Sequence, residues 1–194
     1  MKLKLVLFIA AVLVASACGG TAQPSEPSIP PTQTPLPAWP EFTSEAGGFV
    51  VKLPSTPTEQ VQTVPSEVGD INLYIYMVEE DNAALGVMFN ELPELITSVA
   101  DEELIKVMLD SGRDGAMGNS GGVLVSEEEI SLDGYPGRHI VFEIPDEMFP
   151  GGGEGIARIY YVDGRLYQVV LIGEKGAFSP DETEMFLDSF HLLP

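Results

Sequence analysis

Residues 157–173 read ARIYYVDGRLYQVVLIG, two apolar runs joined by Asp163-Gly164. Asp-Gly between such runs is a strong hairpin signal, because a type I′ turn needs positive φ at both central residues. Ile156 to Val162 and Leu166 to Ile172 are therefore expected to pair as antiparallel strands. The same signal recurs upstream. Asp133-Gly134 turns a segment that holds Val123, Leu124, Val125, Ile130 and Leu132 into Gly137 to Ile144. The four strands form two successive hairpins, and such connections make a sheet antiparallel.

Working outward from this block, Ser179 precedes Pro180 and stands three residues before Glu182. Serine, a first-turn proline and a glutamate at that spacing form a capping box, so a closing helix starts here. Met185, Phe186 and Phe190 are its expected buried edge. Before the block, Ser98 is the expected cap of a middle helix whose inner face is Ile105, Met108, Leu109, Gly112 and Ala116. Gly112, Gly115 and Gly118 weaken that helix by about 1 kcal/mol each relative to alanine. Its end either frays or packs close on a sheet where only glycine fits.

Nearer the N-terminus, Phe42-Thr43-Ser44 and Phe49 to Leu53 flank Glu45-Ala46-Gly47-Gly48 as a further hairpin. Gln60 to Val64 alternates polar and apolar residues. Ile71 to Val78 and Ala84 to Leu92 are two more strands, divided by Glu79-Glu80-Asp81-Asn82. Strands, helix, four strands and helix imply an α+β domain over residues 41–194, an antiparallel β-sheet flanked by helices.

The segments GGFVVKLPSTP, ISLDGYPGRHIVFE, ARIYYVDGRLYQVVLIG and FLDSFHLL, in this order around a mid-chain helix, resemble the PsbP/DcrB-like family of small exported domains. The similarity runs from Phe42 to Leu193 and lies in element order and turn placement, with no active-site signature. It implies a central sheet between helices, an α/β/α sandwich. Many members are lipoproteins.

The first 17 residues carry an independent signal. Lys2 and Lys4 precede an uncharged run from Leu5 to Val14, and the small residues Ala15, Ser16 and Ala17 follow. That run is too short for a bilayer core, which needs about 20 residues, and fits an export signal instead. Cys18 comes directly after it, so the segment resembles the lipobox of bacterial lipoproteins. Cys18 is also the sole cysteine of the 194 residues, which leaves no disulfide for an exported chain to form. Lipidation of Cys18 consumes the thiol, and the two or more acyl chains of such an anchor hold a protein stably. Residues 18–40 are rich in proline and threonine and read as a disordered, semi-rigid tether. Trp39 is expected to dock on the domain, with contact at the lipid interface as the alternative. The chain is thus expected on the extracytoplasmic face of a cell membrane.

A formal net charge of -21 argues against nucleic acid as a partner, since basic patches supply most of that affinity. It argues equally against electrostatic attachment to anionic lipid. The two histidines, His139 and His191, have no spacing that suggests a zinc or catalytic set. Glu127 and Glu129 would share one strand face, but calcium takes six to eight oxygens and two carboxylates are too few. Gly151-Gly152-Gly153 lacks the Lys-Ser/Thr of a phosphate loop. Neither a metal nor a cofactor is expected, and the domain is expected not to be an enzyme. The strand tyrosines Tyr74, Tyr76, Tyr160, Tyr161 and Tyr167 fit sheet packing, and Arg138, Arg158 and Arg165 are expected to pair with carboxylates across strands. The loop from Pro145 to Gly155 is the candidate partner contact, with Met148 and Phe149 exposed near its tip beside Gly151, Gly152 and Gly153. These features together suggest a lipoprotein that binds or supports an envelope protein or assembly. A small-ligand or cation-binding module is the alternative, with a hydrolase further behind.

Overall fold

The computed structural model describes residues 37–66, 69–118 and 120–194. The export signal, Cys18 and nearly all of the tether lie outside them. In chain order the elements are β1 (Glu41–Ser44), β2 (Phe49–Lys52), β3 (Thr58–Ser66), β4 (Gly69–Glu80), β5 (Ala83–Glu91), α1 (Glu94–Thr97) and α2 (Glu102–Gly118). There follow β6 (Val123–Leu132), β7 (Tyr135–Ile144), β8 (Gly153–Val162), β9 (Arg165–Glu174), α3 (Pro180–Asp188) and β10 (His191–Leu192).

Both Asp-Gly turns form as their chemistry requires. Asp133 and Gly134 have φ of 51° and 92°, and Asp163 and Gly164 have 45° and 86°. The hairpins they close, β6–β7 and β8–β9, make one half of a seven-stranded antiparallel sheet of order β3-β4-β5-β9-β8-β7-β6. The two halves meet where β5 pairs with β9, from Ala83 opposite Gly173 to Glu91 opposite Arg165. A separate three-stranded sheet, β1-β2-β10, holds the first hairpin.

Alternation along the strands feeds two cores. Phe89, Tyr160, Tyr167 and Val169 meet Phe49, Val51, Phe186 and Phe190 on one face. Ile140, Phe142, Ile159 and Val170 meet Met108 and Leu109 on the other. Strands β8 and β9 bury both faces, which explains why their sequences are apolar almost throughout. Trp39 packs on the first of these cores, as expected of it.

The helix-flanked sandwich is met only in part. One face carries α2, packed on β7, β8 and β9. The opposite face is covered by the three-stranded sheet together with the nine-residue α3, in place of a full helical layer. Two local corrections follow. The middle helix is capped by Asp101, whose Oδ1 accepts from the Leu104 N–H at 2.9 Å, because Ser98 already closes the short helix α1. On α3 the capping box of Ser179 and Glu182 is present, and the Ser179 hydroxyl and N–H hold the Glu182 carboxyl below its ordinary pKa. Its buried residues are Phe186 and Leu187, with Met185 only half-buried.

The glycines of α2 divide by what lies over them. A Cβ on Gly112 would stand 3.0 Å from Ile159 and 3.1 Å from Leu166, whereas one on Gly115 would meet nothing within 4 Å. Gly115→Ala is therefore expected to raise stability by about 0.5–1 kcal/mol. Gly112→Ala should gain less or lose, since the same propensity gain is set against a tight contact. Urea denaturation of the two variants checks the ordering.

Candidate functional site

A concavity of about 820 Å³ lies between the first half of α2 and the β6–β7 hairpin. The Asp101 cap fixes where α2 begins, and burial of Met108, Leu109 and Gly112 fixes which side it turns to the sheet. Ile105, Leu109 and Pro136 give the groove an apolar floor. Asp101, Glu102, Glu103 and Glu129 give it an acidic wall, relieved by Lys106.

At one end of the groove stands Arg138, whose side chain is 8% exposed. Its Nη1 donates to Glu129 Oε1 at 2.8 Å, and its Nη2 donates to Asp110 Oδ1 at 3.3 Å. Arg138 Nε and Glu127 Oε1 stand 3.0 Å apart as an ion pair without hydrogen-bond alignment. Arg113 holds the other Glu127 oxygen at 3.0 Å and Asp114 at 2.9 Å. Burial works against the Arg138 charge, but the Glu129 hydrogen bond and the Glu127 and Asp110 carboxylates outweigh it and raise its pKa. The arrangement ties α2 to β6 and β7. It also leaves Glu127 and Glu129 on one face, as their alternation requires, with guanidinium groups where a cation would sit.

Beyond the groove the sheet ends at β6. Val123, Leu124 and Val125 are 66%, 39% and 60% exposed, and the β6–β7 register shifts between Leu124 and Ser126. Nothing in the hydrophobic pattern marks these residues as exposed, because they read only as strand. The signal that could have found them is position: β6 follows a helix and pairs forward only, so it falls at an edge.

The expected partner loop is compact. Met148 N–H donates to the Pro145 carbonyl and Gly152 N–H to the Phe149 carbonyl, so the segment folds on itself between β7 and β8. Met148 is exposed, but Phe149 turns back and packs on the α2-side core. A Cβ on Gly153 would meet the Phe149 ring at 2.6 Å, and Gly152 and Gly153 are buried while Gly151 is exposed. The exposed apolar tip thus reduces to Met148, because the glycines make room for Phe149 to leave the surface.

The remaining candidates separate by location. Tyr76, Tyr160 and Tyr167 are buried in one core, Tyr161 in the other, and Tyr74 stacks on Phe89 at 4.7 Å. Arg138 and Arg165 pair across strands with Glu129 and Glu91, whereas Arg158 reaches Asp188 on α3 at 2.7 Å. His191 is exposed on β10. His139 is half-buried on β7, and burial, followed by the Arg158 charge, lowers its pKa below 6.5. A histidine kept neutral in this way weakens the fold as pH falls through its unfolded pKa of about 6.5. Among the described residues no group of three or more His, Cys, Asp or Glu is placed to hold a metal.

No family model and no curated protein matches the chain. Among solved structures it is similar to the solution structure of cyanobacterial PsbP (CyanoP) from Synechocystis. The TM-score is 0.50 and the identity 14%, over 91% of this chain and 98% of that one. At that identity the likeness shows the fold alone, which is PsbP-like. A Pseudomonas aeruginosa protein of unknown function gives a TM-score of 0.33 at 7% identity, over 70% of this chain and 83% of its own, and carries no argument.

Proposed function

We propose that this chain is an extracytoplasmic lipoprotein, anchored through Cys18, whose domain binds or supports a protein partner of the cell envelope without catalysis. The observation that carries the binding role is the run of exposed apolar side chains Val123, Leu124 and Val125 at the sheet edge. Apolar side chains grouped at a surface mark contact sites more often than those scattered singly. The anchor is supported by the signal segment and its following cysteine. A proline-rich chain of about 3.1 Å per residue gives the domain reach from the membrane.

The test is crosslinking followed by affinity purification of the full chain from native membranes, beside a Cys18→Ser variant. The full chain should sediment with membranes and recover the same envelope protein in repeated preparations. Cys18→Ser should move to the soluble fraction. Recovery of the chain alone from crosslinked membranes would overturn the partner role, and membrane retention of Cys18→Ser would overturn the anchor.

A further inference from the structure

We infer that the outer edge of β6 is a strand-addition site. It takes an extended segment of a heterologous envelope protein, apolar where it meets Val123 to Val125 and cationic where it meets Glu128 and Glu129. The inference rests on the partner-binding role proposed above, and gives it a surface and a chemistry.

The edge itself is the first ground. β6 is an outermost strand for ten residues, and among the described residues no strand pairs with its outer side. Its outward N–H and C=O groups are a template for another chain, and folded proteins usually blunt such edges with charged side chains (lysine above all), proline, bulges or short strands. The opposite edge carries a proline, and its exposed valines Val61 and Val64 stand apart among polar residues. β3 carries Thr58, Glu59, Gln60, Gln62 and Thr63, with Pro65 near its end. β6 has neither lysine nor proline from Val123 to Leu132; Glu127 to Glu129 guard its middle, but its first three residues are consecutive, apolar and exposed. Its bulge leaves Val125 out of the register with β7 and 60% exposed.

Charge selects the occupant. Full-length antiparallel pairing of two β6 strands would set the run Glu127 to Glu129 against the same run of a second copy. In-register parallel pairing would do so as well. Like charges directly opposite on paired strands are destabilising, and each copy is strongly acidic: the chain has a formal net charge of -21, from which cleavage before Cys18 also removes Lys2 and Lys4. A second copy is thereby disfavoured and a cationic segment favoured. Glu127 and Glu129 face the α2 side, while Glu128 faces the other side next to His139. Glu127 is held by Arg138 and Arg113, so a docked strand meets the exposed Glu129 on one face and Glu128 on the other. Its residues beyond Glu129 lie along the groove, where Glu102 and Glu103 add to the same field. In strand addition the main chain supplies affinity and alternate side chains supply specificity.

Short synthetic peptides are the test, with lysine alternating with threonine in one half and valine alternating with threonine in the other. Both chain directions are made, and matched versions replace lysine with glutamate. They are titrated into the full chain in detergent while amide exchange is followed. One lysine peptide should slow exchange along Val123–Leu132 about tenfold or more, leave β3 unchanged, and lose its effect in Val125→Lys and Glu128→Lys. No slowing by either lysine peptide, equal slowing by the glutamate versions, or slowing at β3 would overturn the inference. The same two variants, purified from crosslinked membranes, separate this inference from the broader role. Loss of the captured protein supports strand addition at β6. Capture unchanged in both variants overturns it while leaving the partner role standing.

Discussion

Replacing Phe49 with alanine is expected to cost about 3–5 kcal/mol of folding stability, a large share of what holds a domain of this size together. The ring is fully buried at the start of β2, the middle strand of the three-stranded sheet. It lies 5.6 Å from Tyr76 and 6.4 Å from both Phe89 and Tyr167, all on the seven-stranded sheet, and 5.6 Å from Phe190 after α3. One side chain therefore joins the small sheet, the large sheet and the C-terminal segment. Its aromatic neighbours cannot all move inward at once, since each is held by its own strand. Removal leaves a cavity as well as a lost transfer term. Chemical denaturation of Phe49→Ala beside Val61→Ala, whose residue is 60% exposed on β3, measures the effect. The second variant should change stability by no more than about 0.5 kcal/mol. A loss below about 1 kcal/mol for Phe49→Ala would show that the cluster collapses into the space and that the small sheet does not depend on it.

Most of the elements were legible because their signals are local. Asp163-Gly164 and Asp133-Gly134 specify turns by their φ values, and Ser179 with Glu182 specifies a cap by two hydrogen bonds three residues apart. What escaped depends on contacts far apart in sequence. β10 has only His191 and Leu192, too few for a period, and exists because they pair with Val50 and Phe49. The same pairing diverts the first hairpin into a sheet of its own, so the second face lacks the expected helical layer. Ser98 lost the cap of α2 to Asp101 because a short helix after Pro93 had already used that stretch. The candidate site shows the same limit. Phe149 looked exposed in a glycine-rich loop, yet those glycines let it turn inward. Val123 to Val125 were legible as strand but not as edge, because composition does not say which strand of a sheet will be last.

Arg138→Ala is the second variant with a large expected effect, a loss of about 3 kcal/mol, the low end for breaking a buried ion pair. The low end applies because two partners are partly open to solvent: the Glu129 side chain is 81% exposed and Asp110 37%, so water screens their share. Glu127, at 22%, is not relieved in this way. Without Arg138, three carboxylates on α2 and β6 would face one another with Arg113 as the remaining guanidinium of the network. Their repulsion should pull α2 from the β6–β7 hairpin. Salt should reduce the loss by screening that repulsion, and adding Glu127→Gln should restore part of it by removing the most buried charge. Urea denaturation at low and high salt measures all three. The result also decides what kind of positive charge the groove contains. If stability falls as expected, the Arg138 guanidinium is spent on its own domain, and the surface offered to a partner is the acidic wall and the apolar edge. If stability is unchanged but capture of the envelope partner is lost, Arg138 contacts the partner directly. The segment that docks there would then have to bring carboxylates as well as cations.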